Sequence, residues 1–149
     1  MTELGSVEFW ERVENDPERL AMEVCKVDLV NLEQMLQKHP STRAWVNAAH
    51  EVARIDEERA RWHVTKARAE ALLAAKSVPD PHTGKPKTVN VLDAEVECVE
   101  SVRAATEELL AAQEKRGALR AMADALEDRK DMLIQIAAKQ RQESRDYHI

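Results

Sequence analysis

Helix-breaking residues are concentrated in one stretch near the middle of the chain, KSVPDPHTGKPKTV, residues 76–89. It holds three of the five prolines and one of the three glycines, so it must form a turn-bearing loop. The tracts on either side are dominated by Ala, Glu, Leu, Arg and Lys, the composition of long helices. Two long helices around one loop predict an antiparallel helical hairpin in an all-α fold.

Shorter helical signals extend the hairpin at both ends. Ser6 is a candidate N-cap for VEFWERVEN, and Asp16 followed by Pro17 is a second start signal, a capping side chain before a proline at the first helical position. We expect one domain, residues 1–149, that assembles into a homo-oligomer. Its predicted parts are N-terminal helices (1–39), a long helix (41–75), a loop (76–90) and a second long helix with a C-terminal oligomerisation helix (91–142).

Apolar residues recur at alternating three- and four-residue spacings, which is the pattern of a packed helix seam. Pro40 is expected to end one helix, and Ser41 or Thr42 to cap the next. The seam before Pro40 consists of Met22, Cys25, Leu29, Leu32 and Leu36. The stripe after it consists of Trp45, Ala48, Val52, Ile55, Arg59, Trp62, Lys66, Ala69 and Leu73. Basic residues enter the second half of this stripe, which indicates that this face meets something other than a neighbouring helix.

Charge is segregated along the chain. The formal net charge is -6, yet residues 59–87 carry seven basic and two acidic residues, and acidic blocks flank them. Clustered Lys and Arg beside an aromatic ring can bind a phosphate backbone with unstacked bases, and a narrow basic groove suits a single strand. The alternative is an ordinary solvated helix face. The predicted contacts to single-stranded DNA are Arg59, Arg61, Trp62, Lys66, Arg68, Lys85 and Lys87.

Signals of catalysis or of a bound cofactor are absent from the sequence. The five histidines are scattered without metal-ligand spacing and are expected to be surface or capping residues. TGKPKT lacks the leading glycine and the preceding strand of a phosphate-binding loop, and no nucleophile motif appears. We therefore expect a non-enzymatic protein without a cofactor.

The expected location is the cytoplasm. The first residues show no signal-peptide pattern, and no apolar run approaches the roughly 20 residues that span a bilayer. Cys25 and Cys98 lie in helical patterns without CxxC spacing and are expected to be reduced thiols. No membrane association is predicted.

The order of these features resembles the phage recombination mediator proteins of the UvsY type. LQKHPS (residues 36–41) looks like the break that opens the family's long helix, and RARW (59–62) is similar to its basic DNA-contact element. KAR (66–68) matches the same element, so two positions for the main DNA contact stay open. LEDRKDMLIQI (126–136) looks like the family's self-associating C-terminal helix. The residues to which the resemblance gives this role are Leu126, Arg129, Met132, Leu133 and Ile136.

The resemblance implies a mechanism and a set of partners. A ring-like homo-oligomer would present its basic segments to single-stranded DNA, displace or share the strand with single-strand-binding protein, and load a RecA-like recombinase, in the host cytoplasm if the chain is phage-encoded. The alternative function is that of a coiled-coil structural or adaptor protein that binds a partner helix and no nucleic acid. A nucleic-acid mimic that inhibits a host enzyme is a third possibility, but it would leave the basic segment without a role.

Overall fold

The computed structural model describes residues 6–28, 30–81 and 83–146. Within these ranges the chain forms five α-helices and no β-strand, which confirms the all-α fold with a long helical hairpin and additional helices. The helices are α1 (Val7–Asn15), α2 (Pro17–Cys25), α3 (Leu32–Lys76), α4 (Val89–Glu97) and α5 (Glu100–Asp146). None of the helices formed by the described residues has both the length and the apolar character needed to cross a membrane.

Packing divides the chain into two compact units. The terminal unit comprises Met1–Val52 and Lys115–Ile149, and the hairpin unit comprises Ala53–Glu114. Both α3 and α5 pass through the boundary as continuous helices. The division therefore does not test the prediction of a single domain.

Both N-terminal helices begin at the predicted caps. The Ser6 hydroxyl accepts a hydrogen bond from the backbone N–H of Phe9 at 3.1 Å, and the Asp16 carboxylate accepts one from the N–H of Arg19 at 3.3 Å. Pro17 occupies the first turn of α2, as predicted. These local signals are readable in sequence because a cap uses only the few residues beside it.

The seam predicted from Met22 to Leu36 is interrupted. The helix ends at Cys25, and Lys26 already has a non-helical backbone. Met22 is exposed, whereas Leu32 is buried in the next helix, and Leu29 lies outside the described residues. Continuous apolar spacing therefore does not correspond to one continuous helix here.

The predicted helix end at Pro40 is wrong, because α3 begins at Leu32 and Pro40 lies inside it. An interior proline cannot donate to the carbonyl four residues back and costs about 3 kcal/mol. Ser41 and Thr42 do not cap a new helix; their hydroxyls donate to the Lys38 carbonyl at 2.8 and 3.1 Å. Such bonds back to the preceding turn are common where a helix is perturbed.

Tertiary packing explains why α3 continues through the proline. Leu32 and His39 are buried before it, and Val46 and Ala49 are buried after it. These residues share one face of a helix, so continuing the helix keeps that whole face packed. Burial on both sides outweighs the local preference to stop.

The core of the terminal unit is formed by α1, α2 and the parts of α3 and α5 within this unit. Phe9 of α1 is fully buried, and its ring packs edge-on against Trp45 of α3, with ring centroids 4.5 Å apart. Farther along, Leu32 of α3 clusters with Leu133 and Ala137 of α5. Other fully buried side chains in this unit are Val13, Leu20, Val46, Leu119, Met122 and Leu126.

The hairpin unit is held by a seam of small residues. From α3, Ala53, Ala60 and Ala71 are buried, and Ala71 clusters with Val96 of α4 and Val102 of α5. Small side chains let the backbones of two helices approach closely. The loop that follows α3 covers residues 77–88, and its Gly84 has a φ of 62°, which glycine adopts without strain.

Candidate nucleic-acid interface

The stripe that begins at Trp45 is exposed along the part of α3 that belongs to the hairpin unit. We call it the α3 outer face: Ile55, Arg59, Trp62, Lys66, Ala69 and Leu73. The exposed fractions of Ile55, Trp62 and Leu73 are 46, 59 and 71 %. The alanine seam lies on the opposite side of the helix, and this stripe, whose basic second half was expected to meet something other than a neighbouring helix, is exposed.

Trp62 lies between two cations on this face. The Lys66 ammonium group is 5.4 Å from the centre of the Trp62 ring, in cation–π range, and Arg59 lies about one turn before the ring. Arg59 and Lys66 are seven residues apart, about 10 Å along a helix axis. An exposed indole is thus flanked by positive charge on both sides.

Arg61 and Arg68 are not part of the α3 outer face. At 100° per residue, Arg61 lies about 200° around the axis from Arg59, and Arg68 lies on the same side as Arg61. Arg61 donates to the buried carboxylate of Glu57 at 2.7 Å, and Arg68 pairs with Glu97 of α4 at 2.7 Å. The basic segment is therefore divided between two sides of the helix, and Arg59 belongs with Lys66 rather than with Arg61.

The two loop lysines differ in accessibility. Only 8 % of the Lys87 side chain is exposed, and its ammonium group donates to Glu95 of α4 at 2.6 Å. This ion pair and its burial hold Lys87 within the hairpin unit, so of the two loop lysines it is the less accessible one; its role as a DNA contact stays a prediction. Lys85 is exposed, and its carbonyl accepts from the N–H of Asp80 at 2.9 Å.

Carboxylates border the α3 outer face and pair with its two cations. Arg59 pairs with Asp56 at 3.3 Å, and the Lys66 ammonium group lies 4.0 Å from the Glu70 carboxylate. The three- and four-residue spacings of these pairs were a visible signal. Because all four side chains are well exposed, each pair contributes only about 0–1 kcal/mol, and a phosphate can replace the carboxylate.

The residues expected to mediate self-association lie mostly inside the terminal unit. Leu126 and Leu133 are fully buried, and the buried Arg129 donates to the carbonyl of Lys26 at 3.2 Å. These three side chains are covered by their own chain in this structure, and their role in self-association stays a prediction. Ile136 is half-buried against the Leu133 cluster, and Met132 is exposed.

The histidines and cysteines do not form a second site. His39 is buried, contrary to the surface role expected, while His50 and His63 are partly exposed and His82 and His148 lie outside the described residues. Cys25 and Cys98 are free thiols. No group of three or more His, Cys, Asp or Glu side chains within the described ranges could hold a metal ion.

Comparisons with protein-family models, with curated proteins and with solved structures found no match for this chain. The UvsY-type resemblance therefore stays a prediction. Support for the candidate interface comes from its own geometry: an exposed indole, two flanking cations and a border of carboxylates.

Proposed function

We propose that the chain is a single-stranded DNA-binding recombination mediator and that the α3 outer face holds the strand. The observation that carries the proposal is the exposed Trp62 ring between Arg59 and Lys66. Stacking of a base on an aromatic side chain contributes about 1–3 kcal/mol and tolerates any sequence. The two cations would neutralise phosphates on either side of the stacked base.

The width of this face favours a single strand over a duplex. Asp56 and Glu70 border it on one side, and Glu58, which pairs with Arg54 at 2.6 Å, borders it on the other. A second strand would bring its phosphates over these carboxylates, where like charges repel. Unstacked bases that can reach the Trp62 ring also exist only in a single strand.

We expect each chain to bind the strand weakly, as a mediator that must later dissociate from the strand requires. Two cations and one ring per chain supply little affinity, but several copies on one strand multiply it. Such contacts can be released one at a time as a RecA-like recombinase replaces single-strand-binding protein. The homo-oligomer and both protein partners belong to the proposal and follow from the UvsY-type resemblance.

Fluorescence anisotropy of a labelled oligonucleotide tests the binding step. We expect single-stranded DNA to bind better than the matching duplex, with an affinity that falls steeply between about 50 and 200 mM salt. The mediator step is tested by recombinase ATP hydrolysis on DNA covered with single-strand-binding protein, which should start sooner when the chain is added. Equal binding of both DNA forms, or none at low salt, contradicts the proposal.

A coiled-coil adaptor is the second candidate, and the apolar members of the same face favour it. Ile55, Ala69 and Leu73 are exposed at helical spacing, as a partner helix requires. The two functions predict different roles for Leu73, which lies about 16 Å along the helix from Trp62, beyond the cations that flank the ring. Leu73→Ala should weaken binding of a partner helix and leave the affinity for a short oligonucleotide unchanged.

A further inference from the structure

A buried polar cluster in the terminal unit lies where three helices meet. Its centre is His39 of α3, of which 5 % is exposed, and neither ring nitrogen has a hydrogen-bond partner. Arg129 of α5 is also buried, and its Nε has no partner. Buried polar groups without partners are uncommon in proteins, so each of these calls for an explanation.

Arg129 closes the carboxyl end of α2. Its guanidinium donates to the carbonyl of Lys26, the residue that follows the last turn of α2. A cation at this end satisfies a free carbonyl and offsets the negative end of the helix dipole. The next residue, Val27, packs against the Leu32–Leu133–Ala137 cluster. We call residues 25–28 the α2 junction, and it contacts α5 through this guanidinium and through Val27.

The surroundings of His39 favour a neutral ring. Burial lowers the pKa of His39 from its ordinary value, and the positive charges of Arg129 and Arg43 lower it further. Lys130 acts in the same direction, and only the Glu127 carboxylate opposes them. Protonation would place a second positive charge in this buried cluster, on a ring whose nitrogens have no hydrogen-bond partner.

We propose that His39 is a pH-sensitive latch: the neutral ring permits Arg129 to close the α2 junction, and protonation of the ring opens it. Because the folded protein disfavours the proton, the unfolded or opened form binds more protons in mildly acidic solution. The junction is therefore fully stable above the ordinary histidine pKa of 6.5, and its stability is lost as the pH falls below that value. Opening removes Val27 from the Leu32–Leu133–Ala137 cluster and uncovers that apolar surface.

Hydrogen exchange of the full chain tests the latch, with protection factors corrected for the intrinsic effect of pH. Protection of residues 25–28 should fall several-fold, and by no more than about tenfold, between about pH 7.5 and 5.5, because one histidine with an ordinary pKa in the open form sets this limit. His39→Leu, which cannot be protonated, should abolish this change. The matched control is His63→Leu, which removes a partly exposed histidine in the hairpin unit. In this variant the loss of protection at low pH should remain.

An NMR titration of the His39 ring in the wild-type chain tests the same proposal without relying on a variant that folds. The ring should titrate below the ordinary histidine pKa, and the amide signals of Lys26 and Val27 should shift with it. A ring that titrates at or above the ordinary value overturns the proposal. So does a loss of protection with the same pH profile in wild type and His39→Leu.

Discussion

The guanidinium of Arg61 lies 2.7 Å from the carboxylate of Glu57, and the two residues differ sharply in burial: 64 % of the Arg61 side chain is exposed, against 7 % for Glu57. Glu57 lies on the buried side of α3, between the buried Ala53 and Ala60. Arg61 is therefore a partner of a buried charge within the fold, whereas Arg59 and Lys66 are available on the α3 outer face.

Replacing Arg61 should cost stability, whereas replacing Arg59 should not. Arg61→Met removes a partner of the buried Glu57 carboxylate and should destabilise the fold by roughly 1–2 kcal/mol, lowering the melting temperature by several degrees. Arg59→Met breaks only the exposed pair with Asp56 and should stay within about 0.5 kcal/mol of wild type. Thermal unfolding followed by circular dichroism at 222 nm measures both; equal melting temperatures would show that Arg61 has no structural role.

Pro40→Ala should stabilise the chain. Alanine restores a backbone N–H that can donate to the Leu36 carbonyl and removes the clash of the proline ring with the preceding turn. Losing the proline also makes the unfolded chain more flexible, which offsets part of this effect. The free energy of unfolding should therefore rise by about 1–2 kcal/mol. Urea unfolding would show a higher midpoint with an unchanged slope. A lower midpoint would mean that α3 requires the irregularity at Pro40.

Leu133→Ala and Met132→Ala should behave differently although the residues are adjacent. Leu133 is fully buried in its own chain, so the truncation should cost about 2–5 kcal/mol. Met132 is 51 % exposed, and its truncation should change stability by less than about 0.5 kcal/mol. Chemical unfolding at two protein concentrations distinguishes core from interface. If Leu133→Ala lowers the free energy of unfolding only at high protein concentration, Leu133 contacts a second copy of the chain.

Trp62 should be the most accessible of the three tryptophans. Trp10 and Trp45 pack with Phe9 in an aromatic cluster, and the Trp10 ring is also covered by the Lys115 ammonium group, 4.6 Å from its centre. Iodide should therefore quench mainly the Trp62 fluorescence, and Trp62→Phe should remove most of the quenchable fraction. If quenching is the same in the variant, Trp62 is covered in solution and cannot stack on a base.

Features set by neighbouring residues were predictable from the sequence. The caps at Ser6 and Asp16 and the position of the loop before α4 depend on short stretches whose chemistry is local. Continuation through Pro40 was not predictable in this way, because its cause is burial of His39 and Val46 against the rest of the terminal unit.

The choice of the buried face also depends on packing. Two stripes of α3 have helical spacing, and the bulkier one, with Ile55, Trp62 and Leu73, carries basic residues in its second half. The alanine stripe is buried instead, because small side chains allow close approach of the neighbouring helices. The sequence located the basic segment, but only the structure separates the cations in exposed ion pairs, Arg59 and Lys66, from those in partly buried ones. Arg61 pairs with the buried Glu57, and the Lys87 side chain is itself buried.

The affinity of Arg59→Gln/Lys66→Gln for a labelled single-stranded oligonucleotide tests whether the α3 outer face holds the strand. The matched control is Arg120→Gln/Lys139→Gln, which removes two positive charges from exposed positions on α5. We predict that the first variant loses at least about tenfold in affinity and shows a shallower salt dependence, while its melting temperature and the control's affinity stay near wild type. Equal losses in both variants, or an unchanged affinity in the first, would contradict the claim.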